Sequence, residues 1–474
     1  MKKSIFKLFL IVIPLLFVGC FEDIDDNPAS VKDINDFVWR GLNYYYLYKD
    51  EVNDLQNDRF INEVEYNAFL NSFNSPEALF NHLRYEPETI DKFSWITNDY
   101  IALEAFLNGT TQNNGMDFGL VERQTGASDI FGYVGYVLPN SSAANQGVQR
   151  GDIFYAINGT PLNRGNYQSL LSGNTYTINL GTYDDNGTPE PSDDSITPNG
   201  QSITLTKSPY TENPIFKRDV FNVAGRNVGY LVYNGFTRDF DSQLNDTFGY
   251  FLGNNVQDLV LDLRYNPGGS VNTAILLSSM IAGRNGEVFN TEEWNSDIQA
   301  QLSPESTTNR FTNNDDGTPL NILNLNRVYI LTTKRSASAS ELVINCLRPY
   351  LDVVQIGTST TGKYQASITL YDSPDFRRSG ANPSHLYAMQ PLVLKSVNVA
   401  GVTDYFNGLD PDILVSENYA NMGALGDENE LLLSVALQHI EDNSRIASQT
   451  FEPLKIIGSK SDFTPLQDNM YVEK

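Results

Sequence analysis

Histidine, cysteine and positive charge are all scarce in this chain, and each shortage closes off a class of function. Only three histidines occur in 474 residues. His82 lies in a mixed helical stretch, His385 in a Pro- and Ser-containing loop, and His439 near the end of a C-terminal helical pattern. None has the local setting of a catalytic base, which directs attention to bases other than imidazole. No cluster of His, Cys or carboxylates has ligand spacing, so neither a metal nor another cofactor is implied. Lys and Arg total 32 against 58 Asp and Glu, a formal charge of −26. A surface of that sign repels nucleic acid, where binding is driven by exchange of counterions for basic side chains. The apolar run Leu8–Val18 is shorter than the about 20 residues a bilayer span requires.

That run has a different reading. It follows a basic start, Met1-Lys2-Lys3 to Lys7, and ends at Gly19-Cys20, which makes residues 1–19 a signal peptide. The junction Phe17-Val18-Gly19-Cys20 resembles a bacterial lipobox, and the resemblance implies a lipid on Cys20 that tethers the protein to a bilayer. The expected location is the bacterial cell envelope, lipid-anchored and facing the periplasm or the cell surface. Glu22, Asp23, Asp25 and Asp26 follow at once. They are similar to the acidic export tags of surface lipoproteins and serve equally as a solvated tether. With Cys20 lipidated, Cys346 has no partner for a disulfide. It lies in Glu341-Leu-Val-Ile-Asn-Cys346-Leu, a helical pattern with an apolar face, and is expected to be a buried core thiol.

The length suggests roughly three folding units. Residues 20–112 read as a tether and a helical N-terminal domain, with Phe37, Val38, Leu42, Tyr45 and Tyr46 at helical spacing. From about Gly115 the pattern changes to strands and turns. Gly132–Leu138 reads as a strand, Ala143–Gly147 as a short helix, and Gly151–Gly159 as a strand entering an Asn-Gly turn. Residues 113–210 thereby resemble a PDZ domain. That likeness implies capture of a peptide tail at a sheet edge, its carboxylate held by loop amides at Met116-Asp-Phe118-Gly119-Leu120. Residues 183–200 and 303–319 read as long polar loops. Residues 211–446 alternate apolar strands with helices, the pattern of an α/β layered core, and 447–474 are a C-terminal tail.

Three segments of that core could meet. Asp258–Arg264 is a strand running into Tyr265-Asn-Pro-Gly268-Gly269-Ser270, where paired glycines allow backbone amides to face a ligand. Val328–Thr332 leads into Ser336-Ala-Ser338-Ala-Ser340-Glu341 and a helix. There Ser338 is placed either to cap that helix, with Glu341 completing a capping box, or to act as a nucleophile near its positive end. Leu351–Ile356 leads into Gly357-Thr-Ser-Thr-Thr-Gly362-Lys363. A lysine there is a solvated loop side chain, or, if buried and neutral, a base for Ser338. Loops at the ends of adjacent strands can converge on one site.

Together these segments, with Gly408-Leu-Asp-Pro-Asp412, resemble the C-terminal processing, or tail-specific, protease family. The resemblance implies a multidomain α/β architecture: a helical N-terminal region, a PDZ-like β domain and a layered protease core of the Clp protease/crotonase type. It implies a serine endopeptidase acting on proteins or peptides with free C-termini through an acyl-enzyme. Ser338 would be the nucleophile, Lys363 its base and Glu341 an assisting residue, while the amides of Ala339 and of Gly268 or Gly269 would form the oxyanion hole. The rival reading is a non-catalytic peptide-binding scaffold on the same fold.

Overall fold

The computed structural model describes residues 28–124, 126–188, 191–442, 454–463 and 470–472. The expected signal peptide, the lipidation site Cys20 and the acidic stretch after it lie outside the described residues. Among the described residues no helix is long and apolar enough to cross a membrane.

The chain opens with helices α1 (Val31–Tyr45), α2 (Glu63–Asn71) and α3 (Pro76–Leu83). Ser30 caps α1 by accepting from the Asp33 amide, and Ile34, Phe37, Val38, Gly41 and Leu42 form its buried stripe at the helical period. A central domain follows: β1 (Met116–Glu122), β2 (Ile130–Val137), α4 (Ser142–Asn145), β3 (Ile153–Ile157), α5 (Tyr167–Leu171), β4 (Thr175–Asp184) and β5 (Ser195–Thr206). The polar loop expected over 183–200 is therefore shorter. Strands β4 and β5 continue into it, with Thr182 opposite Thr197 and Asp184 opposite Ser195. Much of β5 is exposed, so no apolar alternation announces it.

The large domain contains β6 (Ile215–Val223), β7 (Arg226–Tyr233), α6 (Asp241–Gly253), β8 (Asp258–Asp262), β9 (Gly269–Ser270), α7 (Val271–Ala282), β10 (Val288–Trp294) and β11 (Thr308–Arg310). It continues with β12 (Arg327–Thr332), α8 (Ala339–Leu347), β13 (Asp352–Gly357), β14 (Gln365–Ser367), β15 (Leu392–Asn398), β16 (Ile413–Leu414) and α9 (Leu431–Asp442). Two last strands, β17 (Ile456–Ser459) and β18 (Met470–Tyr471), belong to the segment expected as a C-terminal tail. Both are built into sheets.

One core sheet has the order β6-β7-β8-β12-β13-β16, parallel from β7 onward. Alternate residues of its strands face opposite layers, as the pleat requires. Leu231, Leu259, Leu261, Val328 and Ile330 pack with α6, α7 and α8. Tyr230, Val232, Val260, Tyr329 and Leu331 pack with α9 and with Tyr133 and Tyr136 of the central domain. Burial of α7 along its whole length is that of a helix enclosed between layers. The second core sheet runs β9-β18-β14-β15-β10-β11, and the central domain's runs β17-β1-β2-β3-β4-β5. The α/β class and the order of helical, PDZ-like and layered parts hold. Cys346 is fully buried, and burial pushes its thiol well above the usual range.

Candidate active site

Strands β8, β12 and β13 are parallel neighbours, so their C-terminal ends deliver three loops to one edge of the sheet. The first carries Gly268 and Gly269, the second Ser338, the third Lys363. Asn266 joins the first two loops. Its carbonyl accepts from Ala337 N (3.1 Å) and Ser340 Oγ (3.0 Å), and its Nδ2 donates to Tyr233 O (2.8 Å). Lys334 reaches from the second loop to the third, donating from Nζ to Thr360 O at 2.6 Å.

Glu341 ties the serine and lysine segments together. One carboxylate oxygen accepts from both Ser338 N (2.7 Å) and Lys363 N (2.9 Å). The other accepts from Thr360 Oγ1 (2.5 Å) and Gly362 N (2.6 Å). Residues 338 and 363 are thus pinned by their backbones to a single atom. Burial drives the Glu341 carboxyl up to about 7, against the four hydrogen bonds that favour its charge. Thr360 is held in turn by Leu409, whose amide donates to Thr360 Oγ1 at 2.7 Å.

Ser338 has the placement of a cap but does not use its hydroxyl as one. It is fully buried, its φ of 65° and ψ of −114° lie far from helical values, and its Oγ has no hydrogen-bond partner. A side-chain-bearing residue in such a conformation costs about 1–3 kcal/mol and persists where the surroundings impose it. Ala339 begins α8, so its amide is among those without an intrahelical acceptor. Lys363 is 2% exposed, not solvated, and its Nζ lies 5.0 Å from the centre of the Phe93 ring. Gly362 has φ of +105°, and a Cβ there would come within 2.3 Å of Phe406 O. Only glycine fits that position.

The glycine pair divides. Gly268 N already donates to Asn266 Oδ1 at 2.9 Å, and Gly268 O accepts from Phe236 N at 2.9 Å. Gly269 adopts φ of +140° in β9. A cavity of about 270 Å³ is bordered by Gly268, Gly269 and Thr361 on the core side and by Asp117 and Tyr136 on the central domain.

The run expected as a carboxylate-binding loop forms a strand instead. Phe118, Gly119 and Leu120 lie inside strand β1, paired with β2 on one side, and Gly119 and Leu120 also pair with β17 on the other. The Met-Asp-Phe-Gly-Leu run reads as a loop by its PDZ likeness. Asp117 is nonetheless buried, in a bidentate pair with Arg335 (2.9 and 2.7 Å). Gly119 is required because a Cβ would strike the Tyr133 ring at 2.5 Å.

Two ion-pair systems tie the central domain to the catalytic loops, and neither was evident in the sequence. Arg335, three residues before Ser338, holds Asp117 and stacks 4.7 Å from the Tyr265 ring centre. Arg150 donates to Tyr265 Oη (2.6 Å) and Glu417 Oε1 (2.9 Å), while Arg264 pairs with Asp262 and Glu430. Their partners are up to 267 positions apart, so no local pattern could expose them. The three histidines bond elsewhere, His82 to Asp54, His385 to Asp372 and His439 to Tyr329.

Comparison with known proteins agrees with this architecture. Residues 33–95 match the peptidase S41 N-terminal domain, 133–178 a PDZ domain and 227–376 peptidase family S41. A crystal structure assigned to an S41 protease from Bacteroides fragilis NCTC 9343 aligns with a TM-score of 0.64 at 25% identity, covering 86% of this chain and 97% of that one. The comparisons support peptidase family S41 for this chain, the family model covering residues 227–376. It is a serine peptidase by class.

Among curated relatives, this S41 peptidase is similar to a carboxyl-terminal-processing protease of Picosynechococcus, 23% identical over 318 residues, 65% of this chain and 67% of the relative. It is also similar to a CtpA-like serine protease of Staphylococcus aureus, 27% identical over 263 residues, 52% of this chain and 49% of that protein. The chain thus spans about two thirds of the first relative and half of the second.

Proposed function

We propose that this S41 peptidase is an endopeptidase that draws protein or peptide tails through its PDZ domain and cleaves them with a Ser338/Lys363 dyad. The observation that carries the reading is the single Glu341 oxygen that accepts from both Ser338 N and Lys363 N. A helix cap needs only the first of those bonds. The second brings the backbone of residue 363, from another loop, to the same oxygen as that of residue 338, which supports a dyad.

In the proposed reaction Lys363 Nζ takes the Ser338 Oγ proton as Oγ attacks the scissile carbonyl. The oxyanion is stabilised by the Ala339 amide at the start of α8 together with an amide of the Gly268-Gly269 turn. Because Gly268 N is engaged by Asn266, Gly269 is the favoured partner. Collapse of the intermediate breaks the C–N bond, and the lysine ammonium returns its proton to the leaving amine. Water then attacks the acyl-serine, with Lys363 again as base, releasing the new carboxylate and restoring Ser338. Glu341 acts as a positioning residue.

Purified protein, Ser338→Ala and Lys363→Met are to be compared on unstructured peptides with free or amidated C-termini. The expected result is cleavage by the unaltered protein alone, faster on free tails. Undiminished cleavage by both variants would sink the dyad, and equal rates on the two tails would sink carboxylate recognition. The N-terminal sequence further supports a Cys20-anchored envelope enzyme. Cys20→Ser should leave it soluble after cell lysis, and persistent membrane attachment would refute the anchor.

A further inference from the structure

Ser338 is sealed from solvent, and this chain's own last described segment is paired both to the edge of β1 and to the Gly268-Gly269 turn. Strand β17 runs antiparallel along β1, with Ile456 opposite Val121, Gly458 opposite Leu120 and Ser459 opposite Gly119. The Glu122 amide adds a bond to Lys455 O at 3.0 Å. This is strand addition to a sheet edge, the mode by which extended peptides are bound. Side-chain anchoring accompanies it. The Phe463 ring lies 6.0 Å from Phe118 and 6.4 Å from Tyr167 of α5, and Lys460 Nζ pairs with Glu212 at 2.8 Å.

The same segment reappears at the protease loops. Strand β18 inserts between β9 and β14. Met470 pairs with Gly269 and Tyr471 with Ser270, and on the other side Val472 N donates to Ser367 O at 3.0 Å. One flanking strand begins in the Gly268-Gly269 turn and the other starts two residues after Lys363. An extended chain between them lies where a scissile peptide would pass from oxyanion donors to base. Ser338 is fully buried, its Oγ without a hydrogen-bond partner.

We propose that residues 454–463 and 470–472 form an internal competitor, a strap that fills both the peptide groove of the PDZ domain and the strand slot beside Ser338 and that an incoming tail must displace. The groove half stands on the β1–β17 pairing alone, while the slot half rests on the dyad reading. The strap also specifies its rival. A displacing peptide is extended, antiparallel to β1, and ends its contact with an aromatic side chain at the Phe118/Tyr167 site.

The test uses the full chain and a fluorescein-labelled peptide of the sequence 454–463, read by anisotropy, beside hydrolysis of a quenched unstructured peptide. Phe463→Ala with Lys460→Ala removes the strap's side-chain anchors without touching β1. The apparent affinity of a site is reduced by the fraction of molecules in which it is open, so the double variant should bind the labelled peptide about tenfold more tightly. Its kcat/KM should rise by a similar factor, chiefly through KM. Equal affinity and equal kcat/KM in variant and parent would overturn the proposal. Hydrogen exchange on the unaltered protein covers the case of a misfolded variant. Saturating peptide should release protection of amides 456–459 while β1 stays protected, and protection retained at 456–459 with peptide bound would overturn it equally. Tighter binding without cleavage would refute the protease reading and keep the strap. Cleavage with unchanged binding would do the reverse.

Discussion

Removing Asp117 should uncouple the PDZ domain from the nucleophile loop. Asp117 and Arg335 are both buried, at 3% exposure for the aspartate, and both carboxylate oxygens are used by the guanidinium. Asp117→Ala leaves a cation that keeps the face of Tyr265 and the Tyr133 hydroxyl as neighbours but no counter-charge. Breaking a buried pair from one side costs about 3–5 kcal/mol, because the surviving charge is stranded. The stacking on Tyr265 is present with and without Asp117 and offsets none of this, so the expected loss is about 3–5 kcal/mol. Arg335 lies three residues before Ser338, so cleavage should fall as well; a misplacement near 1 Å is worth about 100-fold. The companion Asp117→Leu/Arg335→Met removes both charges and should regain most of the stability. Denaturant unfolding of Asp117→Leu, Arg335→Met and the double gives the coupling directly. The reasoning is refuted if Asp117→Ala loses under about 0.5 kcal/mol, or if the singles and double are additive within that margin.

Two further outcomes follow from the Glu341 hub. The carboxyl is raised from an ordinary value of 4.5 to about 7 by burial. Cleavage should be full above pH 7 and fall as pH drops through it, because a protonated carboxyl no longer accepts from all four donors. Stability moves the other way. The folded state keeps a proton that the unfolded chain releases, so this group's contribution is complete below about pH 4.5 and is lost as pH rises through 7. Glu341→Gln should lack the inflection in both profiles, and an unchanged inflection would assign it to another group. Gly362→Ala combines a φ of +105° with a Cβ 2.3 Å from Phe406 O. A destabilisation of about 2–5 kcal/mol and loss of cleavage are expected by thermal melting and peptide assay, and a fully stable, active variant would show that the loop has room to relax.

The loops at the ends of β8, β12 and β13 were legible because each follows an apolar strand and is rich in residues with small side chains or special turns. Ser338 and Glu341 were legible as a pair, although a cap and a catalytic placement have the same local pattern; the bond that supports the second, Lys363 N to Glu341, spans 22 positions. The pairing of Asp117 with Arg335 spans 218 positions, so no local pattern exposes it. The Phe118–Leu120 stretch is expected as a loop from the PDZ likeness, and the strand it forms is completed by partners distant in sequence. Strand β5 carries little apolar alternation, since much of it faces solvent, and β17 and β18, at four and two residues, are too short for any period to register. What remains hidden in a sequence of this kind is the long-range charge pairing and the strand added from a distant segment.

Covalent labelling tests the central claim most directly. A peptidyl phosphonate that reacts with activated serine should be incubated with the unaltered protein, Ser338→Ala and Lys363→Met, followed by peptide mapping by mass spectrometry. One adduct is expected, on Ser338 of the unaltered protein, with none on Ser338→Ala and strongly slowed labelling of Lys363→Met. An adduct on another residue, or labelling of Lys363→Met at the unaltered rate, would contradict a Ser338/Lys363 dyad.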